Sequence, residues 1–249
     1  MALPITAIEP GAGDQPVRLR LLGGFELSYQ GHPLDVPMAS QRILALLALR
    51  NQPMQRAYVA GTLWPNYNEE RATANLRTAL SRLPLGPGVL VMASGRQIAL
   101  SQQVEVDLHM TYHQVHCVLY RGDDVLGLEL VRDQLLADLL PGWYEDWSVT
   151  EQERYGEIRL RALEKLSQGL LDAGRTAAAV ETGLAAVAAD PLRETTQGLL
   201  ISSYLAEGNR AKALWQFRKF RSLLRRELGL EPSPAVTNLI TDRADRLIS

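Results

Sequence analysis

Setting "LLDAGRTAAAVETGLAAVAADP" beneath "YLAEGNRAKALWQFRKFRSLL" aligns Gly174 with Gly208, Ala177 with Ala211, Ala179 with Ala213 and Val180 with Leu214, an offset of 34 residues. A helical hairpin cannot bury its apolar face alone, so this period commits the C-terminal part of the chain to stacked helix pairs at the tetratricopeptide spacing. Gly174 and Gly208 fall in the turn within each pair, where a missing Cβ permits positive φ after a helix. The small Ala179, Ala186 and Ala213 allow helices to approach closely, and Asp190-Pro191 closes one repeat and opens the next. Two repeats bury too little core. A degenerate earlier pair around Gly122 and a capping helix within Ala235 to Leu247 are therefore expected.

The N-terminal part reads differently. "VRLRLLGGFELSYQGHPLDVP" alternates apolar and polar residues, with turn signals at Gly23-Gly24 and Gln30-Gly31, and predicts three short antiparallel strands. Ser40 is a candidate N-cap for "QRILALLALRNQ", which Pro53 stops; "QRAYVAGTLW" predicts a second helix that Pro65 ends. A third helix is expected from about Glu69 to Leu83. "VLVMASGRQIALS" then reads as two strands around a Ser94-Gly95 turn, and "VEVDL" as an extended tail. Strands, three helices and a hairpin make the winged-helix layout, in which the third helix enters the major groove and the hairpin lies along the backbone.

The fold class is thus an α+β N-terminal winged helix-turn-helix followed by an all-α tetratricopeptide-like helical domain. The boundaries are a flexible leader over 1–16, a winged helix over 17–107 and a helical domain over 108–249. With 249 residues, 46% hydrophobic and 22% charged, the chain has the apolar material for two such domains. No apolar run approaches the ~20 residues needed to cross a bilayer. The N-terminus has no basic start and apolar centre of a signal peptide, so a cytoplasmic protein without membrane partners is expected. A single cysteine, Cys117, excludes an internal disulfide.

A net charge of −2 gives no global basic footprint, but the charge is unevenly spread. Between Val17 and Leu100 there are nine arginines and no lysine against four acids, a net of +5. Of the 26 basic residues 23 are arginine, a bias that a GC-rich genome would also produce. In the third helix, at about 100° per residue, Ala72, Leu76, Ala79, Leu80 and Leu83 share one stripe. Arg71, Asn75, Thr78 and Arg82 lie within roughly 60° of one another on the opposite side. An arginine fork suits guanine, an asparagine amide adenine and a threonine methyl thymine, so these four are the base-reading candidates. Arg77 and Ser81 flank them. Ser40, Gln41 and Arg42 at a helix N-terminus, where free N–H groups favour an anion, are candidates for phosphate. So are Arg56 and the wing-tip residues Ser94, Arg96 and Gln97.

His109, His113 and His116 stand at i, i+4 and i+7 beside Cys117, a spacing able to bind zinc. The stretch also falls where the first helix of the second domain packs, and no metal and no cofactor are expected. Trp143 and Trp147 read as an interdomain anchor. The chain carries no Gly-x-Ser-x-Gly elbow, no His-Glu-x-x-His and no Gly-Lys-Ser/Thr phosphate loop, so it is not expected to be an enzyme. A tetratricopeptide scaffold binding peptides in its groove is the alternative.

"LRLLGGFEL", Leu63-Trp64, "ANLRTALSRL" at Ala74 to Leu83, "LLPGWYEDW" at Leu139 to Trp147 and "RELGLEPSP" at Arg226 to Pro234 together resemble the SARP-type transcriptional activators, the Streptomyces antibiotic regulatory proteins. In that family an OmpR-type winged helix is joined to a bacterial transcriptional activator domain of tetratricopeptide-like helices. The resemblance implies activation of biosynthetic gene clusters by proteins bound, as paired protomers or a homodimer, to direct repeats in promoter DNA and contacting RNA polymerase holoenzyme. A same-fold repressor or sensor without a polymerase contact stays open beside it. The loop before the third helix, Asn66, Tyr67 and Asn68 with Glu69 and Glu70, exceeds the tight turn of a simple helix-turn-helix. In the resemblance it lies where polymerase is approached. Here Pro84 ends the third helix at once, whereas in the family that helix usually runs on with further basic residues.

Overall fold

The computed structural model describes residues 17–86, 88–122 and 124–245. The leader expected over 1–16 lies outside them. The chain divides into two units, the first running to His109 and including Leu140–Ser148, the second comprising Met110–Leu139 and Val149–Ser249.

In the first unit β1 (Val17–Arg20), β2 (Glu26–Tyr29) and β3 (His32–Leu34) form the expected antiparallel meander, with Arg18 opposite Ser28 and Ser28 opposite Pro33. The alternation in β1 is that of a half-buried strand: Val17 and Leu19 are buried, Arg18 and Arg20 exposed. Gln30 and Gly31 both take positive φ, 52° and 78°. Positive φ at both central residues is what a two-residue hairpin turn of matching twist requires. Helices α1 (Met38–Arg50), α2 (Arg56–Leu63) and α3 (Glu69–Ser81) follow, then the hairpin β5 (Val91–Ser94) and β6 (Gln97–Leu100). Two pairings go beyond the expected order. β4 (Met54–Gln55) adds to β6, and the tail β7 (Val104–Val106) pairs in parallel with β1, Val17 opposite Val104.

Asp107 begins α4 (Asp107–His116) and accepts hydrogen bonds from the backbone N–H groups of Leu21 and Leu22, both at 3.0 Å. Burial raises its pKa, although these backbone donors oppose the shift. Asp107→Asn offers one acceptor where two N–H groups need one each. It should cost about 1–3 kcal/mol, the desolvation of an orphaned donor. A raised folded pKa gives stability that is complete below the unfolded value and is lost as pH climbs through the folded one. The gap between wild type and variant should therefore narrow over that interval, read from urea midpoints in a pH series.

Leu140–Ser148 belongs to the first unit, not to the helical domain expected over 108–249. Trp143 stacks on Phe25 with centroids 6.2 Å apart, and Trp147 meets Trp143 edge-on at 5.9 Å. Both tryptophans thus pack inside that unit.

The second unit contains the predicted repeats. α6 (Asp146–Asp172, most of it in this unit) and α7 (Thr176–Ala189) form one pair, α8 (Glu194–Ala206) and α9 (Arg210–Leu228) the next, and α10 (Pro234–Asp245) is the capping helix. The 34-residue offset extends to the hydrogen bonds. Arg175 N–H donates to Leu170 O at 2.8 Å and Asn209 N–H to Tyr204 O at 2.8 Å, around Gly174 and Gly208 with φ of 72° and 81°. These are the six-to-one bonds of a glycine-terminated helix. Ala179, Ala186 and Ala213 are fully buried. A Cβ on Gly183 would stand 3.3 Å from the Leu200 backbone, so α7 and α8 touch nearly backbone to backbone. The earlier pair is less regular than expected. α4 runs into a π-helical turn (Cys117–Arg121), Gly122 reverses the chain at φ 78°, and a 3-10 helix (Val125–Val131) with the short α5 (Arg132–Leu136) replaces a second full helix. Gly127 lies so near Gln114 that a Cβ would meet its amide nitrogen at 2.6 Å.

Candidate nucleic-acid interface

The buried side of α3 is Ala72, Leu76 and Ala79, with Leu80 and Leu83 half-buried, and it packs on α1 and α2. Opposite it, Arg71, Thr78 and Arg82 are exposed and Asn75 is half-buried among them; Arg77 and Ser81 are exposed alongside. The helix is two residues shorter than expected. Arg82 is its C-cap, and its N–H donates to Ala79 O at 3.3 Å while Leu83 N–H donates to Leu80 O at 3.3 Å, a tightened last turn. Pro84 is the cause, because a residue before proline is pushed out of the α region. The hydroxyls of Thr78 and Ser81 turn back to Ala74 O at 3.0 Å and Thr78 O at 2.9 Å. The Thr78 methyl is thus left as the free group of that side chain.

At the other end Asn68 is the N-cap, its Oδ1 accepting from Arg71 N–H at 2.9 Å. Its side-chain oxygen therefore holds the helix start, a correction to its expected availability for a polymerase. Glu69 and Glu70 occupy the first turn, where the helix dipole favours negative charge. The Tyr67 ring, half exposed, lies 5.6 Å from the Arg71 guanidinium carbon. A cation over an aromatic face is held there electrostatically, so the loop supports the Arg71 side chain. The i, i+4 separation of Tyr67 and Arg71 was the available signal for this contact, hidden because Tyr67 precedes the helix.

Three phosphate candidates are engaged elsewhere. Pro37, with φ of −58°, sits at the N-cap position and α1 starts at Met38, so Ser40 is inside the helix rather than capping it. Ser40 is fully buried and donates to Ala79 O at 2.8 Å, pinning α1 to α3. Gln41 donates through Nε2 to Val36 O at 2.7 Å, and Arg42 Nε lies 2.9 Å from Glu145 Oε1. The wing candidates are drawn together instead. Gln55 pairs with Gln97, and Arg56 N–H donates to Arg96 O at 2.9 Å, placing Arg56 beside the turn that carries exposed Ser94, Arg96 and Gln97.

The electrostatics separate this face from the rest of the unit. Arg18, Arg20 and Arg42 pair with Glu105, Glu26 and Glu145, and Arg50 is also engaged. Arg56, Arg71, Arg77, Arg82 and Arg96 form no ion pair among the described residues. The unneutralised guanidiniums thus lie on α3, beside a half-buried amide and a methyl, and at the wing.

The histidines do not converge. His109 Nε2 is 2.7 Å from Ala48 O, His113 and His116 are exposed, and Cys117 Sγ is 4.0 Å from the His113 ring. Among the described residues no group of three or more His, Cys, Asp or Glu side chains could hold a metal ion. None of the described helices is long and apolar enough to cross a membrane.

A winged helix followed by tetratricopeptide-like helix pairs is the architecture of a class of bacterial transcriptional regulators. Residues 125–242 match the bacterial transcriptional activator domain. The chain is 33% identical over 238 residues to the regulatory protein AfsR of Streptomyces coelicolor, an alignment covering 90% of this chain and 24% of the relative. It is 30% identical over 235 residues to AfsR of Streptomyces griseus, covering 89% and 23%. The chain thus spans about a quarter of the length of these curated relatives. Among solved structures, Mycobacterium tuberculosis EmbR in complex with a low affinity phosphopeptide matches with a TM-score of 0.68 at 20% identity, over 94% of this chain and 66% of that one. On these matches the chain is similar to the SARP-type regulators.

Proposed function

We propose that this chain is a DNA-binding transcriptional activator, not an enzyme, that occupies direct repeats in promoter DNA as paired protomers and recruits RNA polymerase to a biosynthetic gene cluster. The observation that carries the reading is the unpaired arginine set, Arg56, Arg71, Arg77, Arg82 and Arg96, around α3 and the wing, while arginines elsewhere in the unit are neutralised. α3 reads the major groove through Arg71, Asn75, Thr78 and Arg82, and the wing holds register on the phosphates. The exposed Asn66, Glu69 and Glu70 beside a hollow of about 220 Å³ lined by Trp64, Pro65 and Tyr67 are the surface offered to polymerase. Acidic side chains there would repel phosphate, which suits a protein partner.

The test is footprinting on the promoter nearest the protein's own gene, followed by transcription with purified polymerase. Paired, evenly spaced protections and a salt-sensitive shift are expected, since released counterions make phosphate binding fall steeply with salt. Asn66→Ala with Glu70→Ala should keep operator binding within about 1 kcal/mol, as surface changes off an interface do, while transcription drops severalfold. Equal loss of both would put the loop on DNA, and retention of both would move the polymerase contact to the helical domain. Peptide capture without any DNA shift would favour the scaffold reading.

A further inference from the structure

The most charged surface of the second unit is the outer side of α9. This helix carries seven cations, Arg210, Lys212, Arg218, Lys219, Arg221, Arg225 and Arg226, against the single acid Glu227. At about 100° per residue, Trp215, Arg218, Lys219, Ser222, Arg225 and Arg226 share one arc, opposite the buried Ala213, Gln216, Phe220 and Leu224. All six are exposed, Trp215 by 59% with the Lys219 ammonium 5.1 Å from its ring. Arg218, Arg221, Ser222, Arg225 and Arg226 line an open hollow of about 490 Å³.

The repeat architecture does not need these charges. One repeat earlier, 34 residues before Arg218, Lys219, Arg221 and Ser222, α7 has Leu184, Ala185, Val187 and Ala188. Nor does the chain neutralise them fully. Arg221 and Arg225 share Glu231, whose carboxylate the Arg221 hydrogen bond holds below its ordinary pKa, and Arg226 reaches Glu227. Arg218, which lines the hollow, forms no ion pair among the described residues. The Glu231 carboxylate, which accepts from the Nε groups of both Arg221 and Arg225, is an oxyanion already held on this surface by charge-assisted bonds.

We infer that the arc Arg218, Ser222, Arg225 and Arg226 on α9 is a second, sequence-independent contact for duplex DNA, gripping backbone phosphates outside the bases that α3 reads. Arg218 and Arg226 are eight residues apart, about 12 Å along the helix. That is about three to four phosphate steps on one strand, at about 3.4 Å each along the duplex axis. A regular polyanion matches such spacing, and arginine forks suit phosphate better than lysine does. The inference rests on the DNA-binding reading above.

The test compares the full chain on two duplexes, one trimmed to the footprint and one extended by two helical turns on each side. Wild type should bind the extended duplex more tightly. Arg218→Ala with Arg226→Ala should lower affinity for the extended duplex about tenfold and shallow its salt slope by about two, leaving the trimmed duplex and the base preference unchanged. Arg161→Ala with Lys165→Ala removes the same charge from α6 and should change nothing. An equal loss from that control pair, or an unaltered salt slope in the α9 variant, overturns the proposal. So does unchanged DNA binding with altered self-association in sedimentation, which would make the partner an acidic protein surface. Wild type failing on both duplexes would instead sink the reading of the chain as a DNA-binding protein.

Discussion

Asn75→Ala should weaken binding to the cognate operator by about 1–3 kcal/mol, a factor of about 5 to 150, and abolish preference at one base pair. Asn75 sits half-buried at the middle of the α3 face, flanked by exposed Arg71 and Thr78, so its amide is positioned by its surroundings before any base arrives. Arg82→Ala should cost a similar amount and relax a different position, because the C-cap holds that guanidinium at the far end of the same face. Arg71 has an added support in the Tyr67 ring. Tyr67→Phe should therefore keep specificity, while Tyr67→Ala should loosen the position read by Arg71. Arg96→Ala at the wing should weaken all sequences alike and shallow the salt slope by about one. The measurement is a titration of cognate and scrambled duplexes across a salt series. If Asn75→Ala and Arg82→Ala leave cognate affinity unchanged while scrambled binding falls, α3 contacts phosphates only and the base-reading assignment is wrong.

Much of this face is legible in the chain because a helix maps sequence onto direction with a fixed period. Leu76 and Asn75 are neighbours in sequence yet fall on different sides, and no tertiary information is needed to say so. Gly174 and Gly208 are legible for a similar reason: a left-handed helix stop is a local demand met by a local residue. Ser40 marks where locality ends. A serine ahead of an apolar run satisfies the N-cap pattern, but Pro37 starts the helix earlier and turns Ser40 toward a carbonyl 39 residues away. Arg42 finds its acid 103 positions along the chain, at Glu145. The parallel pairing of β7 with β1 likewise joins residues 87 apart through strands of three and four residues, too short for alternation to announce a partner. The sequence says which way a side chain points; what meets it there depends on segments brought from far along the chain.

Leu76→Ala should lower the stability of the first unit by about 2–5 kcal/mol, the cost of a buried leucine cavity. Leu76 is 1% exposed, between Ala72 and Ala79 on the side of α3 that packs against α1 and α2. Its fully buried neighbours on that side, Ala72 and Ala79, are too small to fill the void, although the half-buried Leu80 can lean toward it. The tryptophans provide a selective readout. Trp64, Trp143 and Trp147 lie in the first unit and Trp215 in the second, so fluorescence follows mainly the winged helix. Helical circular dichroism is dominated by the second unit, with its long α6 and α9. The fluorescence midpoint should drop by about 10 °C or more, given about 4–8 °C per kcal/mol for a domain of this size, while the main dichroic transition stays in place. Because Leu76 faces away from Arg71, Asn75 and Arg82, operator affinity measured in the cold should hold. A joint shift of both transitions would mean that the two units unfold as one cooperative body. Loss of binding without loss of stability would mean that the apolar side of α3, not its arginine side, meets the DNA.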